Sequence, residues 1–585
     1  MGKRFIILTS LLGVSISVFF ESSLNNQVNK VVEKCNTRKE EISVKKKEKI
    51  VFEGFDNVVP NGEKTEIKKY VKNNYSDNVD ITIKFDDDYK ENVERPPLDA
   101  SNEEVNLAIR RKRDEVKRYF SRENKKKLNR LKVNKVKNAF ISKYSPYVDI
   151  SISKNDFVKN DFCLLDEFEN NSDIDTVYVK ERASIKYEEN LDSSLPTVGL
   201  KTIADIPTLP YSGSGVNVGI LEAGGVFDKN NPNFVGTTAV ARDVWYFSET
   251  VSDHATRVAS IVGGKYGIAR GCQIYCDELS GNPKNEVEWM LDNNANIITN
   301  SWGEVDDSKT GEYNSNSAYF DYICRMNWCT ICAAAGNAGT KTGFVGNPGL
   351  GFNVITVGNC YDNDTLRSTS SYIEGDFGVS KPTLVAPGYE ISVPNMPDEH
   401  HTGTSFSTPI VAGTVALLME EYPSLKTYPE IIISLLTATA TKMSSAYSNI
   451  ENCGLEDKVG AGKLCYTNAT AAKYQHFNFN NESNETKRYI ASKEVYFRKN
   501  DTMRVSLAWI VDSNDKTNID FVTDYDLYIF NSKGERVAVS QSSGNNIELI
   551  EKTVPEDDFY TIKVFQWSSK KGKHKDYGSV TYYSY

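Results

Sequence analysis

Apolar and polar positions follow different rhythms in successive stretches of the 585 residues. After Lys3 and Arg4, a largely apolar run extends from Phe5 to Phe20. Further on, Asp80-Ile81-Thr82-Ile83-Lys84-Phe85 alternates as a half-buried strand does. Val105, Leu107, Ala108, Ile109, Val116, Tyr119 and Phe120 then recur at helical spacing. Val148 to Ile152 and Thr176 to Val179 read as strands, with a helical segment from Phe157 to Phe168 between them. Strand, helix, strand, helix, strand predicts a small α/β sandwich over residues 35–188. From 197 to 473 the rhythm changes to short, mostly apolar strands, among them Val216 to Leu221 and Ile331 to Ala335. Pro409 to Leu418 is apolar but for Thr414 and reads as a buried helix. From 474 to 585 alternation returns in Arg504 to Trp509, Asp526 to Phe530 and Tyr560 to Val564. Turns at Ser532-Lys533-Gly534 and Ser543 to Asn546 separate them, which predicts an all-β region.

Four segments of the middle region carry chemistry. His401-Thr402-Gly403-Thr404-Ser405 leads into the buried helix, so Ser405 falls in its first turn. Unpaired N–H groups and the helix dipole there would stabilise a developing oxyanion. Asp253-His254-Ala255-Thr256 opens a second helix with an imidazole, the side chain suited to moving a proton near neutral pH. The strand Val216 to Leu221 ends in Glu222, followed by Gly224 and Gly225. Strand ends of a parallel sheet are where such groups reach a crevice. Ile331 to Ala335 runs into Gly336-Asn337, an amide donor suited to an oxyanion hole.

In that order, acid, His, Asn, Ser, these segments resemble the subtilisin family of serine endopeptidases, over roughly Tyr211 to Ala472. Asn231-Pro232-Asn233-Phe234, Gly267-Ile268-Ala269, Leu384 to Gly388 and Gly460 to Leu464 resemble secondary family segments. The resemblance implies a parallel sheet flanked by helices, with Ser405 as nucleophile, His254 as base and Asn337 in the oxyanion hole. It also implies a propeptide, here residues 35–188, that assists folding and inhibits the active site. A jelly-roll β-sandwich follows the catalytic domain in several family members, here at 474–585. Ile298 to Gly303 resembles the strand that lines the first specificity pocket, so Ser301, Trp302 and Gly303 are expected to contact substrate, with Trp302 either walling a pocket or packing in the core. Two departures stand out. Glu222 occupies the place of the usual Asp, with Asp228 and Asp253 as rival acids, and Ala255 replaces a Gly. Of the three acids Glu222 is favoured, because Glu serves in some hydrolase triads and Asp253 adjoins His254 on a helix start without facing it.

Composition is that of an ordinary globular protein, with 25% charged and 39% apolar residues. The net charge of −10, without a basic patch in the catalytic region, excludes nucleic acid as the expected partner. Residues 101–150 are locally basic, with 15 Lys or Arg against 6 Asp or Glu; a solvated face and a binding role are both open for them. Residues 1–22 read as a signal peptide, with membrane anchoring as the alternative because no small-residue cleavage site follows. Ten cysteines stand at irregular spacings without a histidine cluster, so free thiols and one or two disulfides are expected, and no zinc. Cys453 and Cys465 are a candidate pair. Asp524 and Asp526 have the oxygen ligands for calcium, but turn and edge roles are the favoured account of them; no cofactor is required. The reading is a secreted or cell-surface serine endopeptidase of proteins and peptides. It is inhibited by its own propeptide and cut from it between about Lys180 and Pro196. The alternative is an inactive pseudoprotease with a binding or regulatory role.

Overall fold

In a computed structural model, the protein is described over residues 50–52, 71, 78–131, 136–158, 163–179, 194–202, 205–242, 250–279, 282–304, 313–339, 345–373, 379–397, 401–443, 455–471, 475–482, 485–512, 523–568 and 575–585. The expected signal segment, the cleavage linker up to 193 and Cys453 lie outside these residues.

The first unit is a five-stranded sheet in the order β1-β5-β2-β4-β3. Its strands are β1 (Ile50–Phe52), β2 (Asn78–Phe85), β3 (Val136–Ile141), β4 (Tyr147–Ser153) and β5 (Ile174–Val179). Helix α1 (Asn102–Arg130) joins β2 to β3, and α2 (Lys154–Phe157) and α3 (Cys163–Asn170) join β4 to β5. The expected strand–helix alternation is present with two further strands, β1 and β3. In β3, Lys137 and Asn138 interrupt the apolar pattern, which is why alternation does not mark it. Ser101 starts α1 with a capping box, its side chain accepting from Glu104 N–H while the Glu104 carboxylate accepts from the Ser101 N–H.

The central sheet has seven strands, all parallel, in the order β12-β11-β10-β9-β6-β8-β7. They are β6 (Asn217–Glu222), β7 (Val240–Ala241), β8 (Gln273–Glu278), β9 (Ile297–Asn300), β10 (Thr330–Ala334), β11 (Val354–Cys360) and β12 (Leu384–Pro387). Helices α4 (Asp253–Val262), α5 (Pro283–Asp292), α6 (Ser315–Asn327), α7 (Thr404–Glu421), α8 (Pro429–Thr439) and α9 (Tyr466–Ala471) complete this unit. The chain grows from β6 toward β8 and β7 on one side and toward β9 to β12 on the other. The strand order therefore reverses between β6 and β9, the place where an open α/β sheet forms its crevice. Strands buried on both faces read as near-continuous apolar runs, as residues 331–334 of β10 do, and all of β10 and β11 is buried.

The C-terminal unit has β13 (Gln475–Asn481), β14 (Arg488–Phe497), β15 (Thr502–Ile510), β16 (Asp524–Phe530), β17 (Arg536–Ser540), β18 (Ile547–Thr553), β19 (Asp558–Ser568) and β20 (Asp576–Ser584). They form sheets β13-β20-β15-β18 and β14-β19-β16-β17. Their neighbours alternate between early and late strands, the connectivity of a jelly roll. The first of these sheets rests on α8: Ser434 and Thr437 hydroxyls meet those of Thr581 and Ser506 at 2.8 and 2.7 Å.

The N-terminal unit docks on α5. Ser142 Oγ and Lys143 N–H donate to the Glu288 carboxylate at 2.7 and 2.8 Å, and Tyr144 OH donates to Asp292 at 2.8 Å. Burial pushes the Glu288 carboxyl up to about 7. A carboxyl that is ordinary when undocked and titrates near 7 when docked binds a proton on docking, so the contact is strongest at low pH and weakens as pH rises through about 7. Glu288→Gln removes that charge. It is expected to raise stability at pH 8 by about 1–2 kcal/mol and to change little at pH 5. Thermal melts at the two pH values check this; a variant equally affected at both would refute it.

Candidate active site

The sheet brings four of the predicted side chains to one crevice. Glu222 ends β6, with Gly224 and Gly225 turning the chain away behind it. Gly225 has φ 140°, and a Cβ there would stand 2.1 Å from the Thr250 carbonyl oxygen, so only glycine permits this turn. The Glu222 side chain is 0% exposed, and its Oε2 lies 2.7 Å from Nδ1 of His254 at the start of α4. A carboxylate only accepts, so the imidazole carries its proton on Nδ1 and leaves Nε2 bare as a base. Phe406 packs against the imidazole edge-on, ring centroids 5.1 Å apart. The described imidazole of the serine motif, His401, is pushed down to about 4 by burial and stays neutral near pH 7.

The rival acids are elsewhere. The Asp228 carboxylate accepts the Asn230 N–H at 2.9 Å in a local turn, and Asp253 is exposed on α4. Ala255 is fully buried, its N–H donating to the capping Ser252 hydroxyl at 3.3 Å.

Ser405 sits in the first turn of α7 and is 3% exposed. Pro409 lies four residues on, inside the helix, and has no N–H to give to the Ser405 carbonyl. That carbonyl instead accepts the Ser301 hydroxyl at 2.8 Å, while Ser405 Oγ donates to the Ser301 carbonyl at 3.0 Å. This reciprocal pair ties the end of β9 to the head of α7. In this arrangement the Ser405 hydroxyl faces Ser301, and it must turn to meet an imidazole.

Asn337 follows β10 and is exposed. Its Oδ1 accepts from Thr404 N–H at 2.9 Å and Thr404 Oγ1 at 3.2 Å, and Thr404 Oγ1 in turn accepts the Gly336 N–H at 3.1 Å. With the oxygen end fixed, the amide nitrogen is the end left to donate. Sequence reasoning passed over Thr404, although its place beside Ser405 in the motif was the available signal.

Ser301 is fully buried and Gly303 partly exposed; a Cβ on Gly303 would meet nothing nearer than 3.8 Å, which leaves a shallow wall. Trp302 is 3% exposed and belongs to the main apolar core, as the packing alternative expected. Glu304 is held by the side-chain amides of Asn314 and Asn316.

Asp526 is buried in β16 and accepts from Tyr528 OH and Gln541 Nε2 at 3.4 and 3.3 Å. Among the described residues, no three His, Cys, Asp or Glu side chains gather as a metal site requires. Described cysteines 272, 276, 324, 329, 332, 360 and 465 are free thiols, and all but Cys465 are buried. No described helix is long and apolar enough to cross a membrane.

A sequence profile of the subtilase family matches residues 148–462. The chain is 26% identical over 255 residues to Subtilisin DY of Bacillus licheniformis, covering 40% of this chain and 88% of that protein. It is 27% identical over 258 residues to Subtilisin E of Bacillus subtilis (strain 168), covering 40% of this chain and 63% of that protein. Among solved structures it is similar to the prenylagaramide maturation protease PagA, at 25% identity and a TM-score of 0.39, covering 46% of this chain and 98% of that one.

Proposed function

The chain belongs to the subtilase family as a subtilisin-like serine endopeptidase, and we propose that it cleaves proteins and peptides through Ser405, His254 and Glu222. The observation that carries this reading is the 2.7 Å contact between buried Glu222 and His254 beside the head of α7. The hydroxyl of Ser405 turns from Ser301 toward His254 Nε2, gives up its proton and attacks the scissile carbonyl. The imidazolium formed is stabilised by Glu222, and it returns the proton to the leaving amine. The Asn337 amide and the Ser405 N–H hold the oxyanion. Ser301, Trp302 and Gly303 form the edge on which an extended substrate adds as a strand, with Trp302 contributing from the core behind it.

We place the enzyme outside the cell, directed by residues 1–22 as a signal or an anchor. Residues 35–188 act as an inhibitory propeptide, and the chain cuts itself between about Lys180 and Pro196. No metal or cofactor takes part in the proposed steps. A serine-reactive phosphonate tests the reading. The wild-type protein is expected to be labelled at Ser405 and to hydrolyse casein. An unlabelled protein without turnover would make it a pseudoprotease.

Asn337→Ala is expected to lower kcat about 10²–10³-fold with little change in KM, the range known for removing such a donor from a subtilisin. Steady-state kinetics on a chromogenic peptide would show it. A change confined to KM would remove Asn337 from the oxyanion hole.

A further inference from the structure

Residues 86–118 behave differently from the sheet they follow. The sheet has its own core, built from Val79, Ile81, Ile83, Val148, Ile150 and Val177. It meets α5 through polar contacts such as those of Glu288. The segment from Asp86 into the first half of α1 has no such independent core. It crosses the catalytic domain and reaches the sandwich.

Arg113 is 3% exposed, and its guanidinium donates to the carbonyls of Ala295, Asn327 and Leu291 at 2.6, 3.3 and 3.5 Å. Leu291 and Asn327 stand in the last turns of α5 and α6, where carbonyls have no partner within the helix. One cation thus satisfies two helix ends and faces the negative poles of both dipoles. Arg95 pairs with Glu430 at the start of α8 at 2.5 Å and lies 4.2 Å from the ring centre of Tyr577 and 5.1 Å from that of Tyr428. Lys112 pairs with Glu91 at 2.8 Å, and Glu91 also accepts the Tyr577 hydroxyl at 2.9 Å. Val105 and Ile109 cover Trp328, and Val116 and Phe120 belong to the main core of the catalytic domain. Taking this segment away would strip the Arg113 guanidinium from three carbonyls, of which Leu291 would keep the Asn294 N–H and Ala295 the Cys329 thiol, and would take the cations from Glu430 and several aromatic rings. A disposable inhibitor has no reason to be built in this way.

We propose that residues 86–118 are a permanent strap of the active enzyme, so that the N-terminal fragment remains after cleavage as a stoichiometric subunit of a two-chain protease. This rests on the self-cutting reading above. The strap is this chain's own segment, seated in the seam between α6, α8 and β20.

Two arms test it. In the first, a Ser405→Ala chain carries the recognition sequence of an unrelated protease between 180 and 193, is cut there, and is filtered at about 10 nM in about 1 M salt. The two pieces are expected to co-elute in equal amounts, and the same chain with Arg95→Met and Arg113→Met to separate. Separation of the parent pieces would overturn the strap. In the second, self-cut wild-type protein is incubated with casein and its active fraction run on a denaturing gel. Both pieces are expected. An active fraction without the N-terminal piece would overturn the proposal. A chain that hydrolyses casein yet never cuts itself would refute self-cutting alone, and the first arm would still decide the strap.

Discussion

Replacing Glu222 by Gln is expected to lower turnover about 10⁴-fold, the size of loss seen when the triad acid of a serine protease is made neutral. The substitution preserves shape. Its backbone carbonyl still accepts the Leu279 N–H, and the side chain still fills a fully buried space. What disappears is the charge facing His254 Nδ1. Gln can also offer its amide N–H to that nitrogen, which would shift the imidazole proton to Nε2 and remove the base. Glu222→Asp restores the charge but draws the carboxylate back by about one carbon–carbon bond from a contact now at 2.7 Å, so part of the activity should return. Near-normal kcat/KM for Glu222→Gln, with unchanged melting, would mean that Glu222 is not the acid.

Arg504→Met should be the most damaging single change outside the crevice, at about 3–5 kcal/mol of stability. Arg504 is 2% exposed in β15. Its guanidinium donates to the carbonyls of Ala438, Thr437 and Ala461 at 3.1, 3.0 and 2.8 Å and pairs with Glu551. Ala438 and Thr437 close α8, so the sandwich supplies a cation to a helix end of the catalytic domain. Methionine fills the stem but leaves three carbonyls without this donor and the Glu551 carboxylate with Lys442 alone, at 3.2 Å. Urea unfolding monitored by tryptophan fluorescence measures the loss. Per-site turnover below the unfolding transition should stay close to normal, because no contact of Arg504 reaches Ser405. A loss below about 1 kcal/mol would show that water replaces these bonds.

The crevice was legible because each of its groups sits at a strand end or helix start that the apolar pattern marks. β6 ends at Glu222, β10 runs out just before Asn337, and α7 begins at Thr404. The sandwich was legible from alternation and turns. What the pattern could not give was partnership across distance. The basic residues of α1 looked like a solvated face or a binding surface, and their sequence neighbours do not reveal that Arg113 meets helix ends 178 and 214 positions away. Likewise Pro409 marks the Ser405 carbonyl as freed, but nothing local shows that the Ser301 hydroxyl, 104 positions away, takes it up. Periodicity reports which face is buried, not what is buried against it.

The Glu91–Tyr577 hydrogen bond joins residues 486 positions apart. Tyr577 lies in β20. Glu91 must wait for 486 further residues before its partner exists. Contacts of such separation form late, after the closure entropy of a very long loop has been met. The seam that Arg95, Glu91 and Tyr577 close therefore stays open until β20 has been made. A protease assembled in this way keeps this locking step until its sandwich has been synthesised.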